Sequence, residues 1–340
     1  MKRVLVIGAT GMMGSHLVPL LLEKGYCVDG VTLDNARSFD PALRYIKTDA
    51  SDENVLRELL KNGYDGIIDF LHFGDSERFK TRSRIMLKNT KHYVFLSSYR
   101  VYADCIGIIN ENSPRLTETY ADDTYLMNND YYGVSKCKNE DILNESGFKN
   151  YTIVRPVVVY SENCILLITW KGRVIPCRAR QGGKLLLPID AKDKHASIIY
   201  SGDIARLFVG LLFNEKAFGE TYTLGSPEKI TWGEMAKIYE KLCGIKCEWI
   251  QSAEFAKMAM GNTEKINDGM KFMLYYDRFF NRCVNVDKVL KDCGVKAEQF
   301  ISHKDGLKKC LDACPENYEP TEWEKSQIRF MDEYIQKNQS

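Results

Sequence analysis

The sequence predicts an α/β protein, built on a doubly wound parallel sheet and completed by a smaller, mainly helical C-terminal substrate domain. Three observations lead there. Short apolar runs rich in β-branched residues alternate with helix-period segments through the first third of the chain. A cluster of glycines falls between the first of these strands and the first helix. From Thr231 onward the pattern turns mainly helical.

Taken in order, residues 3–7 read as a strand, 12–24 as a helix and 27–33 as a second strand. Residues 45–48 form a third strand, 54–62 a helix, 66–72 a fourth strand and 93–97 a fifth. Residues 130–145 have helical composition and lead to an apolar run at 151–154. Arg155-Pro156 stops that run, because proline cannot continue a central ladder. Gly172, Gly182-Gly183 and Pro188 punctuate an irregular stretch. A helix resumes at 204–213, followed by a short strand at 221–224 and by helices at 232–243 and 286–292. With no repeat or low-complexity linker, the expected division is a dinucleotide-binding domain from 1–156 plus about 200–225. A substrate-binding domain would take about 157–199 plus 226–340.

Composition narrows the class. The chain has 340 residues, 44% hydrophobic and 27% charged, enough to bury one large core or two smaller ones. Lys and Arg total 47 against 46 Asp and Glu, so no basic field exists to draw in nucleic acid or an anionic membrane. The apolar run after Met1-Lys2-Arg3 is too short for a signal-peptide core, and no stretch approaches the roughly 18 apolar residues of a membrane span. A cytoplasmic protein is expected. The eleven cysteines are scattered without Cys-x-x-Cys spacing, which reads as reduced thiols rather than a disulfide framework or a metal site.

The glycine cluster carries the first functional signal. In Gly8-Ala9-Thr10-Gly11-Met12-Met13-Gly14, absent side chains allow a tight turn and let a pyrophosphate approach the N–H groups at a helix N-terminus, as in Rossmann dinucleotide sites. The bland alternative is a βα turn that binds nothing. Asp34 ends the second strand twenty residues after Gly14, near the separation expected for the acid that bonds the adenosine ribose. A carboxylate there repels a 2′-phosphate and favours NAD, while Arg37 keeps NADP open. Asp34 could instead cap the loop with Asn35.

Tyr132 and Lys136 stand four residues apart on one face of the expected helix. A nearby cation favours the phenolate, so such a pair can exchange a proton with a substrate hydroxyl. Alone, the pair is indistinguishable from a solvated helix face. The fifth strand delivers Ser97-Ser98 at its C-terminal end, where ligands sit in open parallel sheets, although a strand-end serine is commonly a turn residue.

Taken together, these motifs resemble an extended short-chain dehydrogenase/reductase of the NAD-dependent epimerase/dehydratase family. The carrying residues are Gly8 to Gly14, Asp34-Asn35, Asp49-Ala50, the run from Ser97 to Tyr102, Tyr132 with Lys136, Arg155-Pro156 and Ser201-Gly202-Asp203-Ile204-Ala205, spanning residues 3 to 225. The resemblance implies Tyr132 as acid/base, Lys136 as the cation that assists it and holds the nicotinamide ribose, and Ser98 as the group that orients the substrate oxygen. It implies a dinucleotide cradled by Gly8, Thr10, Gly11, Met12, Met13 and Gly14, with Asp34, Asn35, Asp49 and Ala50 towards adenosine. It also implies a homodimer through the helices flanking the sheet, among them the one bearing Tyr132.

Departures from the family pattern matter as much. Related 4,6-dehydratases carry Asp-Glu after the catalytic Ser or Thr, whereas Tyr99-Arg100 here cannot eliminate water by that route. The arginine that clamps nucleotide-sugar phosphates is replaced by Ala196, with Lys194 and His195 beside it. The helix between the fourth and fifth strands is short, and Asn89-Thr90 does not fall where the family's helix asparagine would. Trp170 and Trp232 fit a core better than a carbohydrate site.

The expected function is an NAD-dependent epimerase or oxidoreductase acting on a secondary alcohol of a sugar or nucleotide-sugar. The alternative within the class is an NAD(P)-dependent reductase or dehydrogenase of a non-nucleotide carbonyl. From another class comes a non-catalytic dinucleotide sensor or RNA-associated relative.

Overall fold

The computed structural model describes residues 1–105 and 107–339. Seven parallel strands form the central sheet: β1 (Arg3–Ile7), β2 (Cys27–Thr32), β3 (Leu43–Lys47), β4 (Tyr64–Asp69), β5 (Thr90–Leu96), β6 (Tyr151–Pro156) and β7 (Glu220–Leu224). Their spatial order is β7-β6-β5-β4-β1-β2-β3, with every neighbouring pair parallel. The strand order reverses between β1 and β4, which opens a crevice at the carboxyl ends of the strands, where ligands bind in such sheets.

The connecting helices are α1 (Gly14–Glu23), α2 (Glu53–Leu60), α3 (Ser76–Lys88), α4 (Gly133–Asn144) and α5 (Ser201–Leu211). Each face of the sheet has its own core. On one, Val4, Val6, Ile68, Val94 and Val154 pack with Leu17 and Leu21 of α1 and Phe208 of α5. On the other, Leu5, Ile67, Tyr93 and Ile153 pack with Leu56 of α2, Phe79 and Met86 of α3 and Leu143 of α4. Burial on both faces explains why these strands read as continuous apolar runs rather than as alternation. Asp52 and Asp75 start α2 and α3 by accepting two backbone N–H groups each.

A third apolar cluster draws on residues from Tyr160 to Tyr200 and from Ile230 to Met331. Trp170 and Trp232 are both 1% exposed within it and belong to the core. Small parallel ladders brace this part of the chain, one pairing Lys184–Pro188 with Lys246–Ile250 and another pairing Val158–Tyr160 with Ile198–Tyr200. Its helix α6 (Trp232–Cys243) opens with a Thr231–Glu234 capping box and ends at Gly244 in the left-handed region.

The structure corrects the sequence reading at three strands, most of all at β6. β6 does not stop before Arg155-Pro156 but runs through both, with Pro156 paired to Leu224. The Val157 amide bonds the Leu224 carbonyl, so the proline nitrogen faces the β5 side, where the ladder closes with the Ser97 amide on the Val154 carbonyl, before Pro156 is reached. No ladder bond is lost there, which is why proline is tolerated. The fourth strand also starts earlier and ends at Asp69, and the third begins at Leu43. All eleven cysteines are free, and no helix among the described residues is long and apolar enough to cross a membrane.

Candidate active site

The glycine run forms the turn between β1 and α1. Gly8 adopts φ +86°, a conformation that side chains disfavour, and its carbonyl receives the Gly11 amide at 3.1 Å. A Cβ on Gly14 would lie 2.4 Å from the Gly8 oxygen and 2.6 Å from the Ala9 oxygen, so only glycine lets the helix start this close to the strand. The Val31 carbonyl of β2 accepts the Gly8 and Ala9 amides and the Gly8 carbonyl that of Gly11, whereas the Met12 and Met13 amides, just before the helix, have no backbone acceptor among the described residues. Ser201 at the start of α5 braces the loop by donating to the Met12 carbonyl at 2.5 Å.

Thr10 links this loop to the acid at the end of β2. Its hydroxyl donates to Asp34 Oδ2 at 2.6 Å and lies 2.6 Å from the Thr32 hydroxyl. Asp34 itself is exposed, and neighbouring Asn35 accepts from Lys47 Nζ at 2.7 Å. Asp49 is exposed at the end of the β3 connection, its carboxyl held below the usual range by the Ser51 N–H. Ala50 is buried beside it, its carbonyl bonded by Arg82, which also pairs with Asp69 of β4 at 3.0 Å. This cradle, with free amides at a helix N-terminus and a carboxylate just past the end of the next strand, fits a dinucleotide.

The two serines after β5 divide their roles. Ser97 donates to Glu140 Oε1 of α4 at 2.5 Å, and Glu140 holds Arg155 of β6 through both oxygens at 2.9 and 2.7 Å. That buried network fastens α4 to the sheet. Ser98 accepts the Arg100 amide at 3.2 Å, which leaves its own hydroxyl proton free for a ligand.

Tyr132 precedes the first turn of α4. The Asp130 carboxylate caps this turn, accepting the Tyr132 and Gly133 amides at 3.1 Å. One turn on, Lys136 is 1% exposed; its Nζ donates to the Leu96 carbonyl at 2.5 Å and lies 4.9 Å from the centre of the Phe95 ring. Burial lowers its pKa to about 8, a fall that nearby Asp69 and Glu140 only partly offset.

Ser98 and Tyr132 line one cleft of about 360 Å³, together with Met12, Met13, Pro156 and Val157. Its far wall comes from Gly269, Met273, Asp277 and Arg278, residues that no local sequence signal marked. His72, at the end of the β4 connection, is another such residue. Its ring centre lies 4.9 Å from that of Tyr132, and lost hydration together with the Lys136 charge depresses its basicity. Tyr99 and Arg100 also line this cleft. The Tyr99 hydroxyl is buried against Asp277 at 2.7 Å, where loss of water disfavours the phenolate.

Ala196 and His195 lie apart from this cleft, in a small crevice with Ser226 and Glu228. Ala196 is buried and its amide bonds the Ile230 carbonyl, while His195 bridges to Thr231. Asn89 terminates α3 by bonding the Ile85 carbonyl rather than entering the site.

The sequence profile of the NAD dependent epimerase/dehydratase family matches residues 4–225. Among curated proteins, the chloroplast stem-loop binding protein of 41 kDa b from Arabidopsis thaliana is 22% identical over 260 residues, covering 72% of this chain and 64% of that protein. Cinnamoyl-CoA reductase 1 of Petunia hybrida is 31% identical over 150 residues, covering 40% of this chain and 43% of the reductase. The chain thus spans less than two thirds of the length of these relatives. Among solved structures, the UDP-glucuronic acid 4-epimerase of Bacillus cereus in complex with NAD superposes with a TM-score of 0.69 at 16% identity, covering 95% of this chain and all of that one. The dTDP-glucose 4,6-dehydratase of Bacillus anthracis, also with NAD, gives 0.66 at 16% identity over 93% of this chain and 97% of that one. The chain therefore belongs to the NAD-dependent epimerase/dehydratase family of extended short-chain dehydrogenases/reductases, and its cofactor is NAD.

Proposed function

We propose that the protein is an NAD-dependent epimerase or oxidoreductase acting on a secondary alcohol of a sugar or nucleotide-sugar. The observation that carries this reading is that Ser98 and Tyr132 line one cleft, with Lys136 buried and bonded to the carbonyl of Leu96, which also lines it. A substrate hydroxyl between the two receives a hydrogen bond from Ser98 and gives its proton to the Tyr132 oxygen. Lys136, fixed by the Leu96 carbonyl, stabilises negative charge on that oxygen. The NAD that the glycine cradle would hold would supply the acceptor for the carbinol hydride, the oxidation that turns the alcohol into a ketone. Tyr132 then holds the proton that is returned if reduction follows on the other face.

Elimination of water is not supported. The buried Tyr99 hydroxyl is tied to Asp277, and Arg100 is a permanent cation, so neither can serve as the acid and base of a dehydratase. The relative named for stem-loop binding brings in an RNA-associated reading. Net charge near zero and an intact Ser98-Tyr132-Lys136 set weigh against it.

The test is Tyr132→Phe. Turnover should fall about 100- to 10,000-fold while NAD still binds. A variant that retains full activity refutes the acid/base role. Screening UDP-, GDP- and dTDP-sugars against free sugars identifies the substrate. The reduced-nicotinamide absorbance stays flat overall for an epimerase and rises or falls for a dehydrogenase or reductase.

A further inference from the structure

The charged groups on the wall of the cleft are unequally satisfied. Arg282 donates to the Tyr102 and Tyr276 carbonyls and to Asp277, and is a structural tie. Arg278 donates through Nε to the Ile168 carbonyl at 2.8 Å and through Nη1 to the Tyr99 hydroxyl at 3.1 Å and to Asp277. Its Nη2 takes part in none of these bonds, and the residue lines the cleft.

Arg100 differs from both. Its side chain is 16% exposed, lines the same cleft as Ser98, and places its guanidinium carbon 5.1 Å from the centre of the Tyr132 ring. The nearest carboxylates are Asp130 at 3.7 Å and Asp277 at 3.8 Å, both beyond hydrogen-bond length. Nε and Nη2 are buried without an acceptor. Both carboxylates are already engaged, Asp130 by the amides that open α4 and Asp277 by Tyr99, Arg278 and Arg282. Unmade bonds of a buried charged group are costly, and Arg82 Nη2, Arg173 Nε and Arg206 Nε are in the same state; Arg100 differs from those three in lining the cleft of Ser98 and Tyr132, where an incoming acceptor can meet its charge.

The charge balance identifies that acceptor. Three guanidiniums face two carboxylates, so the cluster carries one surplus positive charge, on the side of the cleft next to Tyr132. A monoanion neutralises it, whereas a phosphate monoester, at about −1.5 to −2, would overcompensate. The planar fork of arginine matches a carboxylate through two parallel hydrogen bonds. Arg100 packs on the Tyr132 ring, which places such a carboxylate beside the hydroxyl that Tyr132 deprotonates.

We propose that Arg100, backed by Arg278, is the specificity-determining receptor for a substrate carboxylate, so that the sugar handled here is a uronic acid rather than a neutral hexose. This rests on the hydride-transfer reading of the cleft for the carbinol's position, while the binding of the carboxylate can be measured separately.

The experiment uses the NAD-loaded full chain, with UDP-glucuronate and UDP-galacturonate as acidic probes, UDP-glucose and UDP-galactose as neutral ones, and glucose 6-phosphate against free glucuronate. Calorimetric binding and turnover are both measured, for wild type, Arg100→Gln and Arg100→Lys. The wild type should favour an acidic probe over its neutral counterpart by about 10- to 100-fold, mainly through Kd and KM. Arg100→Gln should abolish that preference and Arg100→Lys should restore part of it, since lysine keeps the charge without the fork. Arg100 also offsets the buried Asp130 and Asp277 charges, so Arg100→Gln should melt lower than wild type and Arg100→Lys between the two; each variant's own acidic-to-neutral ratio is read at a temperature where it is folded. Equal binding of acidic and neutral probes, a preference that survives Arg100→Gln, or stronger binding of glucose 6-phosphate than of glucuronate overturns the proposal. Arg100-dependent binding of uronates without any turnover would instead refute the hydride-transfer reading and leave the carboxylate receptor standing.

Discussion

Glu140 and Arg155 form a two-pronged ion pair at 2.9 and 2.7 Å, with side chains 1% and 6% exposed, joining the helix of Tyr132 and Lys136 to the strand beside β5. Ser97 shares the same carboxylate, so the serine pair, the helix and the sheet are held as one unit. Removing one partner of such a pair leaves a buried unpaired charge, which typically costs about 3–5 kcal/mol. Glu140→Ala should therefore lower the melting temperature by several degrees, as followed by circular dichroism. Glu140→Ala combined with Arg155→Met should recover part of the loss. Unchanged melting in the single variant would show that the pair contributes nothing to fixing the helix.

Two glycines in the cofactor turn should respond differently to alanine. At Gly14 the new methyl meets backbone oxygens at 2.4 and 2.6 Å, obstacles that cannot rotate away. A stability loss of about 1–3 kcal/mol follows from overpacking. At Gly11 the only near atom is the Gly8 oxygen at 3.2 Å, so the fold should survive while the methyl obstructs the pyrophosphate. Thermal melts paired with NAD titrations by fluorescence check this. Identical melting and affinity in the two variants would contradict it.

Asp34 sets the nucleotide preference. Its carboxylate is exposed and oriented by Thr10 at 2.6 Å, in position to repel a 2′-phosphate. Wild type should bind NAD in preference to NADP, and Asp34→Ala should reduce that ratio by about tenfold or more, a change of about 1.4 kcal/mol. A ratio indifferent to the substitution would mean that another group, such as Arg37, discriminates.

Asp203 offers a pH test of the fold. Its carboxyl is 3% exposed and burial raises its pKa to about 6, against the lowering effects of Arg206 and the Ile301 N–H. An acid whose pKa is raised by folding stabilises the folded chain fully below its ordinary value near 4, and that contribution is lost as pH rises through about 6. At pH 7.5 the ionised group opposes folding by up to about 3 kcal/mol. Asp203→Asn keeps an acceptor for Ile301, so its melting temperature should gain on wild type at pH 7.5 relative to pH 4.5. The same difference at both pH values would show that Asp203 ionises without penalty.

What the sequence determined by itself was local. The glycine run, the acid at the end of β2, the serines after β5 and the Tyr132–Lys136 spacing are each set within a few residues of a strand end or helix start, where hydrogen-bond geometry and side-chain period leave few options. The continuous apolar strands announced a sheet covered on both faces for the same reason. Tertiary structure decided the rest, because it depends on convergence across the chain. Tyr99 meets Asp277 across 178 positions, and Arg100 faces that same carboxylate. Neither periodicity nor propensity carries such a pairing, which arises from how the C-terminal segment packs over the crevice. Pro156 makes the same point on a smaller scale: its missing N–H was visible in the sequence, but only the early end of β5 made it harmless. Local chemistry thus fixed the cofactor cradle and the proton-transfer residues, whereas the charge that faces the substrate exists only once distant arginines and carboxylates are packed together.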